Sequence, residues 1–484
     1  MKGSMILKLA ALLLAFSAIS CEDPNKQEPE VDAPLLVTTT PENGASGFTD
    51  ATLSVVFGFN QRIKCPAEAQ QGITIDGGAS IDEVVVSAAG LTVSVSGLQR
   101  GNSYTITIPE GTVQGYKANQ KGSALISFHF SMRESHQGPV TPDSWEKAQA
   151  AVNNMRTGWN LGNTLDAHDS SWAGRSVSGF ETGWGQPVTR PELFDMFAEA
   201  GFGAIRVPVT WNLHMGADNK VDEAWMNRVE EIVNYVLDAN MYCILNVHHD
   251  TGEGGWLRAD EAVYNSTKDR FTALWRQIAE RFRDYGPRLL FESFNEMLDA
   301  QNRWNAPASA SSYTYINKYN QDFVNAVRAT GGNNSYRNLV VNDYCASSMA
   351  VAFEAMVIPD DSVQDHIIAE FHSYSPYHFA MNEGSGAIKT WTDACQKEVV
   401  DQINAMAAVA RAKGVPAIIG EYGATSKRDE EEIAKQATCY VETCKANKMA
   451  CFYWMLLSDG SDRNVPKWTK PLVKDAIIKA YNGK

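Results

Sequence analysis

Leu289-Leu-Phe-Glu-Ser-Phe-Asn-Glu296 is an apolar run that delivers a carboxyl group at its end. Ahead of it, Phe271, Leu274, Trp275, Ile278 and Phe282 recur at helical spacing, so a buried strand follows an amphipathic helix. Seven more runs have the same character: Gly158-Trp-Asn-Leu-Gly162, Ala204-Ile-Arg-Val-Pro-Val209, Tyr242-Cys-Ile-Leu-Asn-Val247, Leu339-Val-Val-Asn342, Ile367-Ile-Ala-Glu-Phe-His372, Ala417-Ile-Ile-Gly420 and Cys451-Phe-Tyr-Trp454. Helical patterns separate them, among them Trp225, Val229, Ile232, Val233, Val236 and Leu237. Thr189 and Glu192 have capping-box spacing, and a further helix closes before Gly331. Eight strand–helix alternations predict a (β/α)8 TIM barrel over residues 143–484, an α/β fold whose chemistry gathers where strands end and loops begin.

Upstream the pattern changes to all-β. Leu53-Ser-Val-Val-Phe57, Gly72-Ile-Thr-Ile75, Ile81 to Val86, Leu91-Thr-Val-Ser-Val95, Tyr104 to Ile108 and Leu125 to Phe130 are short β-branched runs punctuated by Gly, Asn, Pro and Ser. Such spacing predicts a β-sandwich over 34–133, followed by a proline-containing linker over 134–142. No cluster of exposed aromatics is expected in the sandwich, which reads as a spacer.

The first residues read as a targeting segment. A short basic stretch precedes the apolar run Leu9 to Phe16, too short to span a bilayer, so residues 1–20 are expected to be a secretory signal. Ala18-Ile-Ser-Cys21 is similar to the lipobox of bacterial lipoproteins, which implies a lipid on Cys21 as a membrane anchor. The acidic tether over 21–33 is similar to the segment that marks surface-exposed lipoproteins, implying an outer-membrane location. The other seven cysteines form no close Cys/His cluster and no C-x-x-C pair, so buried thiols are expected, with no disulfide framework and no zinc.

The chain has 484 residues, 57 acidic against 42 basic, and a formal charge of −15. No long Lys/Arg cluster offsets that charge, which argues against nucleic acid as a partner. An uncharged polymer meets no such repulsion.

Glu296 and Glu421 sit at the ends of their runs, 421 − 296 = 125 residues apart, and two carboxyls facing one cleft are the minimum equipment for cleaving a glycosidic bond. The remaining rims carry Asn163, Arg206, His248, His249, Asn295, His372, Tyr374 and Trp454. Seven of eight strands thus end in polar or titratable groups plus one aromatic, which a barrel built only for stability would not need. Glu292 and Glu370 lie earlier in their runs and are expected to be buried partners, while Asp250 and Asp343 stay ambiguous.

In order along the chain, Trp159-Asn-Leu-Gly-Asn-Thr-Leu-Asp-Ala167, Glu181-Thr-Gly-Trp-Gly-Gln-Pro187, Ile205-Arg-Val-Pro-Val-Thr-Trp211, Leu245-Asn-Val-His-His-Asp250, Phe294-Asn-Glu296, His372-Ser-Tyr-Ser-Pro376 and Gly420-Glu-Tyr-Gly-Ala424 match motifs of one family. This region resembles glycoside hydrolase family 5, and its first two motifs look most like the endoglucanase and xyloglucanase branch called subfamily 4. Residues 34–133 resemble bacterial Ig-like domains. The chain departs from the family pattern at Asn295-Glu296-Met297, at Trp184-Gly-Gln186-Pro187 and after Trp454.

The resemblance implies a retaining, cofactor-free, endo-acting hydrolase of β-1,4-glucosidic bonds in plant cell-wall polysaccharide, acting as a monomer. Glu296, crowded by aromatic and apolar neighbours, suits the acid/base, and Glu421 the nucleophile, with Arg206 and Tyr374 as its donors. Asn295 would bind a sugar 2-hydroxyl, His248 and His372 would orient sugar and carboxyls, and His249 is equally a structural residue. Trp454 would stack a sugar; Trp184, Trp211 and Trp256 are either further sugar contacts or loop packing. A xylanase or mannanase of the same family stays open, as does a non-catalytic glycan-binding lipoprotein, though such a protein would be expected to lack a carboxyl. A metal-dependent hydrolase would need a His-x-His on the first strand, where this chain has Asn-Leu-Gly-Asn163.

Overall fold

The computed structural model describes residues 32–48, 50–117, 121–134, 136, 145–454 and 461–483. The signal, Cys21, most of the tether and most of the linker therefore lie outside the described residues. The chain divides into two compact units at 135/136.

The first unit is a sandwich of two four-stranded sheets. Leu36–Thr40, Thr52–Phe59, Gly90–Ser96 and Ser80–Val86 lie side by side in one; Ala45–Phe48, Ile126–Met132, Ser103–Ile108 and Thr74–Ile75 form the other. Val55, Phe57, Leu91, Val93, Ile106, Phe128 and Phe130 alternate inward and fill the space between the sheets. All six expected runs are strands, and Leu36–Thr40 and Ala45–Phe48 are two that the pattern did not reveal.

The second unit is a closed barrel of eight parallel strands: β1 (Gly158–Asn160), β2 (Ala204–Val207), β3 (Tyr242–Asn246), β4 (Leu289–Glu292), β5 (Leu339–Asn342), β6 (Ile367–His372), β7 (Ala417–Tyr422) and β8 (Ala450–Tyr453). Outward residues such as Cys243, Leu245, Phe291 and Val341 are buried under the surrounding helices. Inward, Ala204, Ile244, Leu290, Val340, Ile368, Ile418 and Phe452 make one apolar layer, closed from below by Ala148, Ala151, Val152 and Met155 of the helix Ala148–Met155. All seven cysteines outside the N-terminal segment are buried and free.

Three expectations are corrected. Glu296 is not at the end of β4, which stops at Glu292; it lies four residues on, in a loop that keeps sheet-like bonds from Ser293 N–H to Val340 O and from Asn295 N–H to Val247 O. Glu421 is inside β7, which runs on to Tyr422, beside a bulge that pairs it with His372. The Thr189/Glu192 capping box does not form either. The helix Glu192–Ala200 starts behind Pro191 with no side-chain cap, and the Thr189 N–H donates to Glu181 Oε1 at 2.7 Å.

Candidate active site

Side chains along a strand alternate between faces, so the residues two positions beyond the apolar layer face inward as well. Those residues are Asn160, Arg206, Asn246, Glu292, Asn342, Glu370 and Gly420, one from each of β1 to β7, and Trp454, directly after β8. A polar floor thus rests directly on an apolar plug.

Arg206 is its hub, fully buried, with all five N–H donors engaged. Nε and Nη2 clasp Glu292 at 2.6 and 2.7 Å, Nη2 also donates to Asn295 Oδ1 at 2.9 Å, and Nη1 donates to Glu421 Oε1 at 2.9 Å and to Asn160 Oδ1 at 3.1 Å. Burial works against the Arg206 charge, but Glu292, Glu370 and Glu421 around it hold it protonated. One fork therefore fixes four carboxylate or amide side chains, from β1, β4, the loop after β4, and β7.

Glu421 accepts a second bond at its other oxygen, from the Tyr374 hydroxyl at 2.8 Å. Burial by itself would raise its pKa, yet the charges of His372 and Arg206 and these two hydrogen bonds together bring it below the usual carboxylate value. The group is ionised at neutral pH. Glu296 differs: its side chain is 22% exposed, and its direct partner is His372, whose Nδ1 lies 2.8 Å from Oε1. The apolar crowding expected from its strand neighbours is absent, because Phe294 and Met297 turn into the core while Glu296 faces the cleft.

His372 joins the two carboxyls. Its Nδ1 is also 3.6 Å from Glu421 Oε2, and its Nε2 lies 3.3 Å from Glu370 Oε1. Burial disfavours the imidazolium, but Glu421, Glu296 and Glu370 outweigh it and push the pKa up to about 10. One oxygen of Glu296 and one of Glu421 lie within 4.8 Å of each other.

Glu370 completes the floor. Burial and the neighbouring Glu292 push it up to about 7, and its Oε2 has no hydrogen-bond partner. A Cβ at residue 420 would lie 1.5 Å from Glu370 Oε1, so only glycine on β7 leaves room for this carboxyl. Glu292 and Glu370 are the buried partners expected of them.

Asn246 settles the state of His248. Its Oδ1 accepts from Val209 N–H at 3.1 Å, and its Nδ2 donates to Glu292 Oε1 at 2.9 Å and faces His248 Nδ1 at 3.0 Å. His248 Nδ1 is therefore an acceptor and Nε2 carries the hydrogen, 4.0 Å from Glu421 Oε1. Burial, with His249 and Arg206 adding, keeps the ring neutral. Trp454 lies parallel to it, centroids 5.7 Å apart and planes 3° apart, partly open to solvent. A Cβ on Gly162 would come within 2.6 Å of the Trp454 ring, so the glycine permits this placement.

Arg206, His248, Asn295, Glu296, His372, Tyr374, Glu421 and Trp454 thus surround one cleft, whereas two expected residues stand at its margin. His249, partly exposed, has its Nε2 3.8 Å from Asp166 Oδ2 and its ring beside His168 and Trp184. Asn163 enters through its backbone: it adopts φ 59°, and its N–H, like that of Thr164, donates to Asp166, whose pKa burial pushes up to about 6. Trp211 is fully buried, its Nε1–H on Asn246 O, and Trp256 donates to Asp250, so both are loop packing; Trp184 alone of the three is well exposed. Asp250 also accepts from Trp211 N–H, and Asp343 from Ser347 N–H, which makes both structural. Asn160, Asn246, Asp166 and His168 were not singled out from the sequence, although the step of two from the apolar layer marks the first two.

Among the described residues, two groups of side chains converge closely enough to hold a cation, Asp166/His248/His249 and Glu296/His372/Glu421. In the first, the nitrogen of His248 facing the group bears a hydrogen; in the second, His372 is protonated and donates to Glu296. Neither His248 nor His372 presents a lone pair as arranged, which leaves His249 and Asp166 as the available donors in the first group, so the donor sets suit proton chemistry better than metal ligation.

Residues 165–460 match the cellulase family, glycosyl hydrolase family 5, and residues 30–132 match a bacterial Ig-like domain. A family 5 glycoside hydrolase from Prevotella bryantii, solved in complex with a xyloglucan tetradecasaccharide, is 44% identical with a TM-score of 0.66, covering 70% of this chain and 99% of that one. A GH5-4 broad-specificity endoglucanase from Clostridium longisporum has the same TM-score at 34% identity, covering 70% and 99%. A xyloglucan-specific endo-beta-1,4-glucanase from Bacteroides ovatus is 37% identical over 323 residues, 62% of this chain and 63% of the relative.

Proposed function

The chain belongs to glycosyl hydrolase family 5, close to its subfamily 4 endoglucanases, and from that premise we propose that it cleaves internal β-1,4-glucosidic bonds of β-glucan and xyloglucan by double displacement with retained configuration. The observation that carries the mechanism is the pair Glu296/Glu421, with oxygens within 4.8 Å and opposite surroundings. Retaining enzymes keep their carboxyls about 5–5.5 Å apart, whereas inverting ones need about 6.5–9.5 Å for a water.

Glu421, ionised and gripped by Arg206 and Tyr374, attacks the anomeric carbon and forms a glycosyl ester. Glu296, on the open side, gives its proton to the leaving oxygen. Glu370, raised by burial and by the neighbouring Glu292, holds a proton more readily than a free carboxyl, which lessens the negative charge gathered around Arg206 and His372. Once Glu296 has lost its proton, the His372 imidazolium at 2.8 Å stabilises the carboxylate, which then draws a proton from the hydrolytic water. Asn295, with Oδ1 held by Arg206, has its amide N–H groups left for the sugar 2-hydroxyl, a bond that strengthens as charge develops. Trp454 offers its face to the ring under attack.

The xyloglucan-bound relative and the broad-specificity relative support a cleft that accepts branched and unbranched glucans. A panel of β-glucan, xyloglucan, xylan and mannan with product analysis tests the substrate. Release of short oligosaccharides from the first two agrees with the reading; release only from xylan or mannan, or from none, overturns it. Anomeric NMR of the first product tests retention.

The leader and Cys21 support a lipid-anchored protein at the outer membrane, acting as a monomer on polysaccharide outside the cell. Cys21→Ala is expected to release activity from the membrane fraction; unchanged fractionation contradicts the anchor.

A further inference from the structure

We propose that Tyr344 and the turn 343–347 after β5 are positioning residues for Glu296, clamping from behind the loop that carries it; this rests on the acid/base assignment above. The two carboxyls are held in unlike ways. Glu421 lies inside β7, where the neighbouring strands fix its backbone, whereas Glu296 lies four residues past the end of β4. A reacting group on a loop keeps its geometry only if its surroundings supply the restraint that a strand would. The sheet-like bonds of this loop hold Ser293 and Asn295, both ahead of the acid.

β5 and its turn supply bonds on both sides of Glu296. Asn342, the last residue of β5, donates from Nδ2 to Phe294 O, and Cys345 N–H donates to Met297 O at 3.2 Å. The Tyr344 hydroxyl accepts from Asp299 N–H at 3.0 Å and donates to Arg303 O at 2.7 Å. The grip therefore falls two residues before the acid and one and three after it. Tyr344 is fully buried, its ring edge-on to Tyr313 of the helix Ser311–Arg328, so the hydroxyl is carried on a fixed body. Burial pushes its pKa up, and the hydroxyl keeps the hydrogen that it donates.

The turn is held in a conformation its residues do not favour. Cys345 and Ala346, at φ 64° and 44°, are successive left-handed residues, where a Cβ is crowded and glycine would be at ease. They reverse the chain directly after Tyr344, so that Ser347 N–H returns to Asp343 Oδ1 at 2.7 Å and closes the turn. Backbone strain kept beside a reacting group is grounds for a role in that reaction. His372 on β6 holds the carboxyl of Glu296, and the turn after β5 holds the backbone beneath it. Loosening the turn lets the acid drift from the leaving oxygen. Proton transfer then falters for a poor leaving group and is not missed by one that departs without a proton.

The test uses the full chain and its variants Tyr344→Phe, Asp343→Ala, Asp343→Asn and Glu296→Ala, on soluble β-glucan and on dinitrophenyl β-cellobioside, whose leaving group needs no proton. Tyr344→Phe keeps the ring and removes both hydroxyl bonds. It is expected to lower kcat/KM on glucan about tenfold with KM within about twofold, and to leave kcat/KM on the aryl glycoside within about twofold. Asp343→Ala should show the same split, and Asp343→Asn, which keeps the Oδ1 acceptor, should recover glucan turnover to within about threefold of wild type. A turn that served stability alone would change both substrates equally at a temperature where the variants are folded. Equal changes or none in Tyr344→Phe, with the split present in Glu296→Ala, overturn the positioning role; should Tyr344→Phe not fold, equal changes on both substrates in Asp343→Ala do the same. No split in Glu296→Ala overturns the acid assignment, and the positioning role with it.

Discussion

The apolar plug and the polar floor of the barrel are made by the same strands, two residues apart, and they do opposite work. Ile244, Leu290, Val340 and Ile368 lose nothing by being buried; Asn246, Glu292, Asn342 and Glu370, next on the same faces, are costly to bury and survive through one another. The plug stabilises the barrel, and the floor spends part of that stability on holding charge ready for reaction. A change in one layer should therefore read out differently from a change in the other.

The largest contrast is at the nucleophile. Glu421→Ala should lower kcat by about 10⁴-fold or more, and added azide should restore part of it with an inverted product, as measured by kinetics and NMR. Retained activity would break the assignment. Glu296→Ala should lower kcat on polysaccharide by about 10²–10⁴-fold while sparing aryl glycosides with good leaving groups, because only poor leaving groups need the proton. Equal losses on both substrate types would argue against the acid role.

In the plug, Leu290→Ala should cost about 2–5 kcal/mol in denaturant unfolding while kcat at a temperature where the protein is folded stays within about twofold of wild type. A large fall in kcat would mean that the layers are not separable.

The smallest effect is in pH dependence. Glu370 has its pKa raised from 4.5 to about 7, and His372 from 6.5 to about 10, so in both cases the native state binds the proton more tightly than the unfolded chain. Stability from Glu370 is present below 4.5 and lost as pH rises through 7; that from His372 is present below 6.5 and lost as pH rises through 10. Glu370→Gln should flatten the fall of melting temperature over the first window and leave the second in place. Identical slopes would mean that Glu370 titrates normally.

The plug was legible because fully buried strands read as unbroken apolar runs, and all eight were found in this way. The floor was legible in its residue types and less so in its geometry. Nothing in Ser293-Phe294-Asn295 announces that β4 ends at Glu292 while the loop keeps its sheet-like bonds, so Glu296 was read as a strand end. Asp166 and His249 meet through a turn whose left-handed Asn163 the sequence hints at only by residue type. In the Ig-like unit, Leu36–Thr40 and Ala45–Phe48 escaped notice because neither has a buried alternation to betray it.

The central claim is that Glu421 attacks and Glu296 assists, and trapping tests it most directly. Incubation with a 2-deoxy-2-fluoro cellobioside bearing a good leaving group, followed by peptide mass spectrometry, should find the sugar esterified to Glu421. A label on Glu296 or another carboxyl, or an unlabelled enzyme releasing the α-anomer, would contradict the account.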